Sequence, residues 1–166
     1  MEEKDKECSL ENDERRDFLK IAGTTFGLLG LGNLFGSSFA YASNKKRYIF
    51  VITNGGNNPN RAILGLLFAE TALSKGMGEV YVWFTLEGGD LAHKSKAENI
   101  ISPIFKKFGN AYEIMRKIKD KKGWFGACPP CLEYSGAEGN NKIDFVEKAG
   151  ADWLLKNMEN ANFVWF

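Results

Sequence analysis

The sequence predicts an α/β protein: a three-layer α/β/α sandwich on a mostly parallel five-stranded sheet, occupying residues 43–166. Three observations carry this. Two runs rich in β-branched and aromatic residues, Arg47 to Thr53 and Val80 to Leu86, enclose one helical segment. A strand-helix-strand unit of that length implies parallel pairing. Both runs are apolar almost throughout instead of alternating, as strands covered on both faces are, and strands and helices keep alternating to the end of the chain.

Taken in order, Arg47 to Thr53 is a strand that stops at Asn54-Gly55-Gly56-Asn57. Asn58 then reads as an N-cap with Pro59 in the first helical turn. Ala62, Ile63, Leu66, Leu67, Ala69 and Leu73 keep helical spacing until Gly76 and Gly78. Val80 to Leu86 is the second strand, ending at Gly88-Gly89. A short helix is expected around Leu91 to Lys94, then an irregular stretch with Pro103, then a helix from about Tyr112 to Lys119 through Ile114, Met115 and Ile118. Trp124 to Ala127 is a short third strand that stops at Cys128. Asn141 to Val146 is expected as the fourth strand, Ala151 to Asn160 as an amphipathic helix through Trp153, Leu154 and Met158, and Asn162 to Phe166 as the fifth strand. Trp83, Phe84, Trp124 and Phe125 are core candidates, with the wall of a pocket beside Cys128 the alternative place for one of them.

The first 42 residues read as an address. Arg15-Arg16 followed by Phe18-Leu19-Lys20 resembles a twin-arginine export motif, and Ala40-Tyr41-Ala42 is the small-residue pattern after which a signal peptidase cuts. A membrane anchor is the competing reading. Ile21 to Phe39 contains Gly23, Gly27, Gly30, Gly32, Asn33 and Gly36, too polar and broken for a span. The expectation is cleavage before Ser43, a periplasmic or other extracytoplasmic location, and no stable membrane insertion afterwards. The segment before the arginines is acidic, unlike an ordinary secretory leader.

What remains is 124 residues with 17 basic and 13 acidic side chains, a net charge of +4. The lysines are spread along the chain and not interleaved with stacking aromatics, which argues against a nucleic-acid partner. No Gly-x-Gly-x-x-Gly or P-loop pattern follows a strand, so Asn54 to Asn60 is read as a tight turn with an N-cap. Its exposed amides make Asn54 and Gly55 pocket candidates. His93 and Lys94, just past the second strand, are candidates for the same pocket, although a lone histidine in a loop is more commonly a packing residue. Glu87 and Asp90 flank two glycines and are read as turn solvation. No cofactor and no resident metal are expected.

The chemistry-bearing feature is Cys128-Pro129-Pro130-Cys131. Open parallel sheets react at the carboxyl ends of their strands, and Cys128 stands at such an end. Two prolines suit a helix's first turn, which makes Cys128 the cap residue, with backbone amides expected to point at its sulfur. Cysteines so placed, or in Cys-x-x-Cys pairs, ionise well below about 8.5. Cys128 is therefore expected to be the more acidic and more reactive thiol. A structural disulfide between Cys128 and Cys131, a zinc site completed by another subunit, and two inert buried thiols are the alternatives. Thioredoxin-like enzymes place such a pair after an early strand, whereas here it falls late in the domain.

The order of parts resembles the DsrE-like sulfur-carrier family. The resemblance rests on residues 53–62 (TNGGNNPNRA), 81–94 (YVWFTLEGGDLAHK), 126–131 (GACPPC) and 162–166 (NFVWF), and it covers nearly all of residues 43–166. It implies a five-stranded DsrE/DsrF-like domain, assembly into trimers or hexamers, and sulfur passed as a persulfide between donor and acceptor proteins or polysulfide. Cys128 matches the sulfur-carrying position, Cys131 the accessory one, and Gly136 the glycine eight residues past the first cysteine. Ser135 departs from the family, where arginine is frequent.

Overall fold

A computed structural model of the chain describes residues 46–166. Arg15-Arg16, Ala40-Tyr41-Ala42 and the expected cleavage point before Ser43 lie outside the described residues. Strand β1 (Arg47–Ile52) leads through helix α1 (Pro59–Ser74) to β2 (Glu79–Phe84). A 3-10 turn (Leu86–Ala92), helix α2 (Lys94–Asn99) and helix α3 (Ala111–Asp120) lead to β3 (Trp124–Ala127). Helix α4 (Pro129–Ser135) then leads to β4 (Val146–Lys148), and helix α5 (Ala151–Met158) to β5 (Ala161–Trp165).

The five strands form one sheet in the order β4-β3-β2-β1-β5, and every pairing is parallel. This is the α/β/α sandwich read from the sequence, with no antiparallel strand. Right-handed crossovers explain the layers. The steps β1 to β2 to β3 to β4 all move the same way across the sheet, so their helices fall on one face. The last step returns past β1 to β5, and its helix falls on the other.

The two faces are covered unequally. On the first, Phe50, Ile52, Val82, Phe84, Phe125 and Val146 pack against Ile63 and Leu66 of α1 and Ile114, Met115 and Ile118 of α3. Each such fully buried side chain contributes about 1.5–3 kcal/mol. On the second face, Ile49, Val51, Trp83 and Ala149 meet, among the helices of the described residues, only the eight-residue α5, through Trp153 and Leu154. Trp153 stacks on Trp124 with ring centroids 4.3 Å apart and an interplanar angle of 14°. Met158, which the amphipathic reading placed on the apolar face, stays exposed at 47%, and Leu155 is 67% exposed.

Local signals explain the helix ends. The Asn58 side chain accepts the Arg61 N–H, and Asn110 and Glu113 form a reciprocal capping box at the start of α3. Gly136, with φ 70°, closes α4 in the left-handed conformation that glycine adopts without penalty. Two segments differ from expectation. The fourth strand is Val146–Lys148, because residues 139–141 form a 3-10 turn and only Phe125 to Ala127 have parallel partners there. The second strand ends at Phe84, and Leu86 turns back with φ 52°.

Candidate functional site: a cysteine pair facing a strained leucine turn

The strand order reverses between β1 and β5, where open sheets ordinarily leave a crevice. Phe166 fills it here. Its carbonyl accepts both the amide (2.8 Å) and the hydroxyl (2.6 Å) of Thr53, and its ring lies against Gly65 and Phe68. The cysteine pair stands instead at the carboxyl ends of β2 and β3.

Cys128 follows β3 immediately, and its amide donates to the Phe84 carbonyl at 2.9 Å, which continues the β2–β3 ladder by one rung. It caps α4 as the two prolines imply, with φ −60° and ψ 125°. Side chains alternate along β3, so Cys128 shares the second face with Trp124 and packs near Trp83 and Ala149. One turn into α4, Cys131 faces the end of β2. Both cysteines are free thiols and partly exposed, and the Cys131 amide donates to the Cys128 carbonyl at 3.0 Å.

The expected electrostatics of Cys128 are not found. The Cys128 side chain makes no capping hydrogen bond of regular geometry, and the Cys131 amide acts on it too weakly to set its charge. Burial pushes the Cys128 thiol up from its ordinary value, and the hydrogen bond and negative charge of Cys131 push the same way. The Cys131 amide and the Thr85 hydroxyl pull down without reversing the balance. A seven-residue helix whose first two residues are prolines offers few free N–H groups, and that is the physical reason the cap argument fails.

The donors converge on Cys131. The Leu86 amide donates to its Sγ at 3.0 Å, and the Thr85 hydroxyl lies 3.6 Å from the same atom. The extended Thr85 points that amide to the β3 side, and directly after it the chain turns away through a left-handed Leu86, a conformation costing a leucine roughly 1–2 kcal/mol. Two glycines wedge the turn into place. A Cβ on Gly88 would stand 2.1 Å from the Ile52 carbonyl oxygen, and one on Gly89 would stand 2.5 Å from that of Cys131. Gly55 lies beneath the same turn, where a Cβ would come within 2.2 Å of the Glu87 carbonyl oxygen. Thr85 and Leu86 were missed from the sequence, where Leu86 was counted as strand. The signal for them is Gly88-Gly89 directly after a buried strand.

The other candidates divide. Gly55 touches the turn that serves Cys131, but the loop's amides are used internally: Gly55 N–H by Asn57, and Gly56 N–H by Asp90. The Asn54 side chain donates to its neighbour Thr53. His93 caps α2 with Nδ1 accepting the Lys96 amide, and its ring lies near Gly136 at the far end of α4. It is a packing and capping residue. Asp90 is more than solvated, since it also pairs with Lys96 Nζ at 2.7 Å. Ser135 is 4% exposed and donates to the Leu132 carbonyl, beside Gly89. No guanidinium stands at its position.

Among the described residues, no group of three or more His, Cys, Asp or Glu side chains gathers as metal ligands, and no helix is long and apolar enough to cross a membrane. Two concavities of about 350 and 390 Å³ lie elsewhere. The first lies at the amino end of β2, beside Lys121 and Trp124. The second lies between α1 and β5, lined by Tyr48, Phe50, Phe68, Met77 and Val164. No protein-family model matches the chain, and a search of curated proteins finds no match.

Proposed function

We propose that this is an exported, DsrE-like sulfur-handling protein that accepts sulfane sulfur and passes it on as a persulfide of the Cys128–Cys131 pair, with Cys128 the carrier. The observation that carries this reading is two free thiols side by side at the carboxyl end of an all-parallel sheet, with a backbone N–H aimed at one sulfur. That arrangement supports thiolate chemistry more than packing.

In the step envisaged, a thiolate of the pair attacks the outer sulfur of a donor R–S–SH. The S–S bond breaks, R–S⁻ leaves and takes a proton from water, and the protein holds Cys–S–SH. An acceptor thiolate removes the outer sulfur by the same reaction. If the second cysteine attacks the sulfur attached to the first, sulfide leaves and a Cys128–Cys131 disulfide remains: the sulfane sulfur is reduced and the two thiols are oxidised. This thiol-disulfide branch is supported by two free thiols placed three residues apart, one capping α4 and one in its first turn.

The export part rests on Arg15-Arg16 and Ala40-Tyr41-Ala42. Assembly into a homo-oligomer is part of the proposal. It is supported by the edge position of β5, with Trp165 60% exposed, and by Phe68, 53% exposed beside the apolar hollow. Anaerobic treatment with polysulfide tests the central reading. The protein should gain about 32 mass units per sulfur, lost on reduction. A Cys128→Ser/Cys131→Ser protein that gains the same mass would overturn it.

A further inference from the structure

We infer that Cys131, not Cys128, is the entry thiolate of the pair, and that Leu86 is the positioning residue that holds its charge. Three facts of geometry converge. The Leu86 N–H lies 3.0 Å from Cys131 Sγ, pointed to the β3 side by the extended backbone of Thr85; the Thr85 hydroxyl lies 3.6 Å from the same sulfur; and Leu86 has φ 52°, which turns the chain away directly after that amide and leaves the N–H to the sulfur. A leucine held left-handed needs compensation from its surroundings, and strain of this kind gathers at reactive sites. Here the compensation is visible. Gly88 and Gly89 let the turn approach the Ile52 and Cys131 carbonyls, so the bent backbone and the sulfur are clamped in one position.

A sulfur that accepts an amide N–H is favoured in its anionic form, as an oxyanion is by oriented backbone donors. Cys128 differs in its balance. It packs with Trp83 and Ala149, and burial and the neighbouring Cys131 disfavour its charge by more than the Cys131 amide and the Thr85 hydroxyl favour it.

Resting on the sulfur-handling reading, the entry step is Cys131–S⁻ + R–S–SH → Cys131–S–SH + R–S⁻. Cys128 then attacks the outer sulfur, its proton passing to water, and gives Cys128–S–SH and Cys131–S⁻. The leaving thiolate returns to the Leu86 amide, and a stabilised leaving group leaves faster. The relay thus runs from the exposed leucine turn inward to Cys128.

The test needs no sulfur donor. The reduced protein is pulsed with limiting iodoacetamide at pH 7 and unfolded, and the remaining thiols receive a heavier reagent. Fragmentation of the peptide bearing both cysteines then gives the labelling at each. Hydrogen bonds to charged groups, partly offset by the lower nucleophilicity of a stabilised thiolate, put Cys131 ahead by about tenfold. Equal labelling, or Cys128 ahead, overturns the inference.

Leu86→Val, whose branched side chain resists φ 52°, should lower the Cys131 to Cys128 ratio by about threefold or more. Leu86→Gly, which keeps the N–H and adopts that angle freely, should retain the ratio. A ratio unchanged in Leu86→Val overturns the role of Leu86, and the wild-type ratio stands as a test even if that variant folds poorly. Absence of mass gain with polysulfide sinks the sulfur reading and leaves the labelling order standing. Reversed labelling with mass gain does the converse.

Discussion

Gly89→Ala tests whether the turn after β2 and the cysteine helix are one fitted unit. Gly89 has no positive φ, so alanine's backbone is allowed there and only space opposes it. Its Cβ would stand 2.5 Å from the Cys131 carbonyl oxygen, 3.0 Å from that carbonyl carbon and 3.2 Å from Ser135 Oγ. Two of these three atoms are backbone, so α4 or the turn must move by close to an ångström to reach ordinary contact. Overpacking of this kind costs about 1–3 kcal/mol. Restricting the unfolded chain returns about 0.4–1 kcal/mol. The net loss is about 1–2 kcal/mol, or roughly 3–8 °C in Tm for a domain of this size. Because α4 carries Cys131 away from Leu86, the labelling advantage of Cys131 should fall as well. Thermal unfolding followed by circular dichroism, together with pulse alkylation, reads both. Gly56→Ala is the control, since its Cβ would meet only Asp90 Oδ2 at 3.6 Å. A Gly89→Ala protein as stable as wild type, with the labelling ratio intact, would refute the fitted-unit argument.

Trp153→Ala should cost about 2–3 kcal/mol and abolish much of the near-ultraviolet dichroism, because Trp153 stacks on Trp124 and contacts Tyr81 as the main cover of the second face; an unchanged urea midpoint would contradict this. Alkylation of Cys128 should rise with pH along a curve displaced upward from that of an exposed cysteine, since burial and Cys131 both favour its neutral form. In Cys131→Ser the charge contribution disappears while burial remains, so the curve should shift downward in pH; an upward shift would show that Cys131 assists Cys128's ionisation. Amino-terminal sequencing of exported material should begin at Ser43, and replacing Arg15 and Arg16 by lysine should retain the protein in the cytoplasm. Export of the double variant at the wild-type level would exclude the twin-arginine route.

The sheet was legible in the sequence where strands are buried on both faces. Arg47 to Ile52 and Glu79 to Phe84 carry apolar side chains on both sides of the ribbon, and their shortness, their β-branched and aromatic content and the glycines that follow mark them as strands and not buried helix. The helix start at Asn58 was equally legible, because a cap is a local hydrogen-bond requirement; the cap at Asn110 and the left-handed stop at Gly136 are signals of the same local kind that the reading did not use. The fourth strand was not. Its three residues owe their place to pairing with β3, and two of them are exposed, so no pattern of their own marks them.

The cysteines' position at the strand end, and Cys128 as a helix cap, followed from Ala127-Cys128-Pro129-Pro130. Which sulfur receives the donors did not. That depends on Leu86 leaving the β2 ladder with a positive φ, 45 residues away in sequence, and on glycines whose close contacts lie with carbonyls of other elements. The same distance effect moved His93 from the expected pocket to the end of α4: the residue's neighbours were set by packing, not by its place after a strand.

The claim that the cysteine pair carries sulfane sulfur is tested most directly by counting it. The protein is loaded anaerobically with polysulfide, freed of excess reagent by gel filtration and treated with cyanide, which converts sulfane sulfur to thiocyanate. The account predicts about one thiocyanate per chain for the wild type, with one sulfur held by one pair, and background for Cys128→Ser/Cys131→Ser. Background release from the loaded wild type, or equal release from the double variant, would contradict it.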